Sequence, residues 1–230
     1  MNDKIYDPTI TADWCSTPGD TTLRNEYFKL KKFSHKIPGD VSIISYKKEV
    51  LTKAFRFVRE FNNAIDVGAH YGLVSFQMNS FFDNVDAFEI DIKTREQLIK
   101  NVARFYLENV TVHSVGLGEI TKAVNLVFDK TDSLITKVDP KPHIGGRYLI
   151  KTIDSFNFEH CDFIKLDIEG YEPFVLLGAE STIKSKKPVI VIEDKNLEAN
   201  YGTINSIDVL KSWGYKLVDR VKKDSILACS

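Results

Sequence analysis

The sequence predicts an α/β fold: a mostly parallel sheet, closed by an antiparallel C-terminal hairpin and interrupted by an inserted β-hairpin. Strand-like and helix-like segments alternate from Tyr46 onward. The run Pro188 to Ile192 is apolar without alternation, as in a strand covered on both faces. Tyr215 to Val221 and Ser225 to Cys229 are separated only by Lys222, Lys223 and Asp224. So short a link cannot hold a crossover helix, which makes the last two strands antiparallel.

Residues 1–45 read as an N-terminal extension of loops and short elements, broken by Pro8, Pro18, Gly19, Pro38 and Gly39. Trp14, Tyr27, Phe28 and Phe33 suit a lid or belt packed on the domain, or an arm that binds substrate or a second copy. Residues 46–230 form the main domain. Val50, Leu51, Ala54, Phe55 and Val58 recur at helical spacing and predict a helix from Tyr46 to Phe61. Ala64 to Asp66 ends a first strand, Leu73 to Phe82 is a short helix, and Val85 to Ile90 is a second strand. Lys93 to Leu107 is amphipathic through Leu98, Ile99, Val102 and Phe105, and Val110 to Val115 is a third strand.

The alternation breaks between Glu119 and Lys151. Val124 to Phe128 and Tyr148 to Ile150 read as an inserted antiparallel pair around a connection containing Pro140, Pro142, Gly145 and Gly146. Cys161 to Ile168 resumes as a strand, Pro173 to Ile183 as a helix, and Ile204 to Trp213 as the last helix. Asn205 or Ser206 stands near the start of that helix and Gly214 at its end.

Composition narrows the function. With 31 basic and 32 acidic residues the net charge is −1, so the uniform positive field expected of a nucleic-acid binder is missing. Cys15, Cys161 and Cys229 are too few and scattered for a disulfide framework or zinc cluster, and they read as reduced thiols of a cytoplasmic protein. Cys161 reads as a small core residue. The N-terminus lacks the apolar core of a signal peptide, and no run reaches the roughly 20 apolar residues of a membrane span.

The most informative stretch is Asp66 to Gly72, where an apolar run ends in an acid and turns through Gly68, Ala69, His70 and Tyr71. Such a turn leaves backbone N–H groups open to a ligand. About 20 residues later Glu89 ends the second strand, where an acid can accept from both hydroxyls of a ribose. A nucleoside site follows, against the alternative of a tight turn followed by an unrelated surface acid.

These stretches, with Asn101, Ser114 to Gly118, Ile153 to Phe156 and Phe163 to Glu172, resemble the FkbM family of S-adenosylmethionine-dependent methyltransferases over roughly residues 60–230. Lys165-Leu166-Asp167-Ile168-Glu169-Gly170-Tyr171-Glu172 looks most like that family's own signature. The resemblance implies a Rossmann-like class I methyltransferase fold, with seven strands in the order 3-2-1-4-5-7-6 and the seventh antiparallel. It also implies S-adenosylmethionine as cofactor and O-methylation of a sugar, glycan or related small molecule. One position departs: the family usually has Asn where His70 stands, and His supplies a comparable donor.

On this reading Gly68 and Gly72 let the backbone approach the cofactor, and His70 and Tyr71 complete the loop. Asp66 orients that loop or accepts from the cofactor's ammonium, and Glu89 binds the ribose. By the resemblance Gly116 and Leu117 lie along the adenine. Asp167 and Glu169 flank the strand end where an acceptor would sit, and either could take its hydroxyl proton. Alternatively, Glu169 and Glu172 cap the following helix. Asp167 with Glu193 or Asp194 could hold a divalent cation, and a metal-free site is favoured over that arrangement. His143 and Arg147, in the insertion, are the candidate acceptor contacts. Two other classes compete. A nicotinamide-dependent oxidoreductase needs Gly-x-Gly-x-x-Gly, whereas Gly68 and Gly72 leave no third glycine in register. A binding module without catalysis is the second.

Overall fold

The computed structural model of the chain describes residues 46–128, 136–139, 145–193 and 204–229. The N-terminal extension, His143 and Asp194 lie outside the described residues. Seven strands form the main sheet: β1 (Asn63–Val67), β2 (Asn84–Phe88), β3 (Val110–His113), β9 (Phe163–Leu166), β10 (Val189–Glu193), β11 (Tyr215–Val221) and β12 (Asp224–Cys229). Read from the β3 edge, their order is β3-β2-β1-β9-β10-β12-β11. β12 runs antiparallel to both β10 and β11, and the other pairings are parallel. This is the predicted 3-2-1-4-5-7-6 sheet with its closing hairpin.

Helices cover both faces. On one side lie α1 (Lys48–Ala54), α2 (Leu73–Met78) and α3 (Ile92–Arg104), packing Leu51, Phe55, Phe76 and Leu98 against Val85, Ala87 and Phe163. On the other lie α4 (Glu172–Leu177), α5 (Glu180–Lys186) and α6 (Ser206–Ser212), packing Val175, Leu176, Ile183 and Leu210 against Ile65, Ile164 and Ile190. Capping matches local chemistry: Asp91 accepts from Thr94 N–H at 2.9 Å to start α3. Asn205 accepts from the N–H groups of Ile207 and Asp208 to start α6.

Three expectations are corrected. The first helix ends at Ala54 rather than Phe61; Val58 stays buried as the chain leaves the helix, so burial extended the apolar pattern beyond it. The helix expected over Pro173–Ile183 is two helices that break at Gly178, whose backbone rests against the Gly118 carbonyl where no Cβ would fit. The Asp154 side chain caps the second from a distance, accepting from Ser181 and Thr182 N–H at 3.1 and 2.8 Å. The inserted hairpin is two small sheets: β4 (Gly116–Leu117), β8 (Tyr148–Lys151) and β5 (Lys122–Val124) in one, and β6 (Leu126–Phe128) with β7 (Thr136–Val138) in the other. Val124 does pair antiparallel with Tyr148, but Leu126 to Phe128 turn away to β7.

Candidate functional site

The loop after β1 and the acid after β2 meet at the carboxyl ends of the parallel strands. Gly68 and Ala69 both donate to the Phe88 carbonyl, at 3.1 and 3.0 Å. Gly68 has φ 78°, and a side chain there would strike the Asp167 carbonyl. That contact brings the loop against the chain leaving β9. Gly72, at φ 88°, sits under Leu98 of α3. Asn101 of α3 donates to the Tyr71 carbonyl at 2.8 Å, tying down the loop's far end. His70 takes a left-handed φ of 52°, a conformation glycine would adopt without strain, and its ring lies 3.9 Å from that of Tyr71.

Glu89 is the hinge of this arrangement. One carboxylate oxygen accepts from His70 N–H at 2.9 Å and the other from Asp91 N–H at 2.8 Å. The side chain is buried, and burial pushes its carboxyl up to about 7 despite those two donors. Gly116 lies against Ile90, the residue after Glu89, and Leu117 is buried. The structure therefore brings Gly68, His70, Tyr71, Gly72, Glu89 and Gly116 to one end of the sheet.

Asp66 is fully buried, and one of its oxygens accepts from Ser75 Oγ at 2.6 Å. Its other oxygen is buried with no hydrogen-bond partner among the described residues. Burial raises its carboxyl above the usual range, against the attraction of Lys165 and the Ser75 bond. Lys165 is the register partner of Asp66, 2% exposed in the middle of an otherwise apolar strand. A buried lysine needs carboxylate partners. Lys165 donates to Asp167 at 3.1 Å, and the nearby carboxylates Asp167 and Asp66 outweigh burial and hold its ammonium charged.

Asp167 follows β9. Burial disfavours its charge, but Lys165 foremost, with Glu193 and Lys47, holds the carboxyl well below the usual range. The cluster continues through Lys47 Nζ, 3.7 Å from both Asp167 and Glu193 and 2.7 Å from Asp224. Glu169 has a left-handed φ of 59° in the turn between Asp167 and Gly170. Glu172 accepts from Ile168 N–H at 3.0 Å, closing the turn into α4. Arg147 is exposed before β8, its backbone N–H bonded to Asn125 Oδ1 and its guanidinium 5.9 Å from the Tyr148 ring centroid. Cys161 is buried, as a core residue should be, which raises its thiol far above the usual range.

Lys47, Lys165, Ser75, Asn101 and Asp224 were not anticipated as site residues. Of these, Lys165 carried a physical signal, an uncompensated cation inside an otherwise apolar strand, and Asn101 stood among the positions that carry the family resemblance. No group of His, Cys, Asp and Glu able to hold a metal occurs among the described residues. No helix among them is long and apolar enough to cross a membrane.

The family model for the methyltransferase FkbM domain matches residues 66–217. Among solved structures, an FkbM methyltransferase from Methylobacillus flagellatus KT is 18% identical, with 95% of this chain and 57% of that one covered at a TM-score of 0.47. This chain thus spans little more than half of that protein. A SAM-dependent methyltransferase from Aquifex aeolicus is 16% identical, with 79% and 87% covered at a TM-score of 0.44. No curated protein matches. With the family match running from the acid inside β1 to Leu217 in the closing hairpin, the chain belongs to the FkbM methyltransferase domain family.

Proposed function

We propose that the protein binds S-adenosylmethionine and methylates a hydroxyl of a sugar, glycan or related small molecule. The observation that carries the reading is Glu89: a buried carboxylate at the end of β2, bonded to the backbone of the Gly68–Gly72 loop. Each of its oxygens holds one backbone N–H and keeps a lone pair for a ribose hydroxyl. Gly116, without a side chain beside Ile90, offers a flat edge to an adenine. These residues fit the cofactor, and beneath the loop one Asp66 oxygen is left without a hydrogen-bond partner among the described residues.

When bound, S-adenosylmethionine supplies a methyl group on a positively charged sulfur. The acceptor oxygen must approach in line with the S–CH₃ bond, so holding it in place supplies much of the acceleration. Asp167, kept ionised by Lys165, is suited to orient an acceptor hydroxyl through a hydrogen bond. A carboxylate held so far below its usual range is a weak base. Glu169, two residues on, is assigned the proton as the C–O bond forms and the C–S bond breaks. Arg147 and His143, on the insertion, are the proposed acceptor contacts, and the reaction needs no metal.

The test is incubation with methyl-labelled S-adenosylmethionine and a panel of free sugars and glycans. The proposal expects a base-stable methyl ether on a hydroxyl. Label appearing only on amines, carboxylates or nucleic acid would overturn it.

A further inference from the structure

Lys47 stands at the N-cap of α1 with φ 53° and ψ 9°, a left-handed backbone natural to glycine and awkward for a lysine. Its side chain makes no capping hydrogen bond. The ammonium reaches instead to the strand ends, 2.7 and 2.9 Å from the two Asp224 oxygens and 3.7 Å from Asp167 and Glu193. The exposure of these side chains is only 11% for Lys47 and between 8% and 14% for the three acids. The three acids stand in or just after three strands, Asp167 following β9 and Glu193 and Asp224 being register partners on β10 and β12. Lys165 also holds Asp167, but it faces Asp66 as well, so its ammonium is shared between two acids. Tyr46, with its partly buried phenol, is a further titratable neighbour. Removing Lys47 would take from three convergent acids a cation that all three share.

We propose that Lys47 is a positioning residue for the acceptor end of the site: its ammonium gathers Asp167, Glu193 and Asp224 and fixes the Asp167 carboxylate for the acceptor hydroxyl. This rests on the reading that the acceptor meets Asp167. Lys47 touches no reacting atom and acts through Asp167. It serves there as a built-in cation, holding several carboxylates together as a divalent ion does in other sites.

The experiment is a carbon-13 titration of the Asp167 side chain in the full-length protein, with calorimetry of S-adenosylhomocysteine binding alongside. Lys47→Gly suits the left-handed backbone, and Lys47→Met keeps the apolar stem. In both, the Asp167 midpoint should rise by about one pH unit or more, while Lys47→Arg should retain the wild-type curve. Affinity for S-adenosylhomocysteine should stay at the wild-type value in all three. An unchanged Asp167 midpoint in a folded Lys47→Gly or Lys47→Met protein would overturn the proposal. So would fast hydrogen exchange of the Lys47 ammonium in the wild-type protein, a measurement that depends on no variant. If the wild type fails to bind S-adenosylhomocysteine, the proposed function falls, and the Asp167 titration still decides the role of Lys47.

Discussion

Replacing Glu89 by Gln should weaken cofactor binding and abolish its dependence on pH. Burial pushes the Glu89 carboxyl up to about 7, so half of the free protein carries it protonated near neutrality. Ribose hydroxyls donate to the ionised form, so affinity should strengthen as pH rises through 7 and level off above it. At pH 6 binding should be about tenfold weaker than at pH 8, since each pH unit below the midpoint costs about 1.4 kcal/mol. In Glu89→Gln the affinity should fall by about 1.5–3 kcal/mol, the worth of hydrogen bonds to a charged group. Its pH profile should be flat. The same shift bears on stability with a fixed sign. Because the folded value lies above the ordinary 4.5, between about pH 4.5 and 7 the folded state keeps a proton that the unfolded chain has lost. Stability should therefore fall as pH rises across that window, by up to about 3 kcal/mol relative to the Gln variant. Calorimetry with S-adenosylhomocysteine at pH 6, 7 and 8 reads the first effect and urea unfolding the second. Wild-type affinity that is strong at pH 8 and unchanged at pH 6 would refute the assignment of Glu89.

Three further outcomes are expected. Gly178→Ala drives a methyl group into the Gly118 carbonyl and should cost about 1–3 kcal/mol in urea unfolding; full stability would mean that the break between α4 and α5 does not depend on that close approach. Lys165→Met leaves Asp66 and Asp167 buried without their main cation, and a loss of about 3–5 kcal/mol should appear in the same assay. A loss under about 1 kcal/mol would show that Lys47 alone suffices. Once an acceptor is known, Glu169→Gln should lower turnover about 10²- to 10⁴-fold with cofactor affinity intact. EDTA should not matter; inhibition by EDTA with recovery on adding Mg²⁺ would move Asp167 and Glu193 into a cation site.

The strands of the main sheet were legible because burial on both faces leaves apolar runs, as in Val189 to Ile192 and, apart from Lys165, Phe163 to Leu166. The closing hairpin was legible from chain length alone, and the Asn205 cap and Gly214 stop from their local chemistry. Gly178 was harder: its helical pattern continues through Leu176 and Ile183, and only the distant Gly118 backbone forces the break. Two- and three-residue strands such as Gly116–Leu117 and Thr136–Val138 are too short to show a period. In the candidate site, the glycine loop and Glu89 were visible because both are dictated locally by turn geometry and strand ends. Within the cluster of Lys47, Asp66, Lys165, Asp167, Glu193 and Asp224, the pairing of Asp167 with Glu193 was read from two acidic strand ends; Lys165 and Asp224 were not, because they join through sheet register, and Lys47 was not, because it reaches in from the start of α1. Asp167 was recognised as an acid at a strand end, but its partners make it a fixed anion rather than an ordinary base.

The central claim, that the end of the sheet around Glu89 is an S-adenosylmethionine site, is tested most directly by titrating the wild-type protein with S-adenosylhomocysteine and, separately, with NAD at pH 8. Saturable one-to-one heat from S-adenosylhomocysteine and none from NAD is the predicted result. Tight NAD binding with no heat from S-adenosylhomocysteine or S-adenosylmethionine would contradict the account.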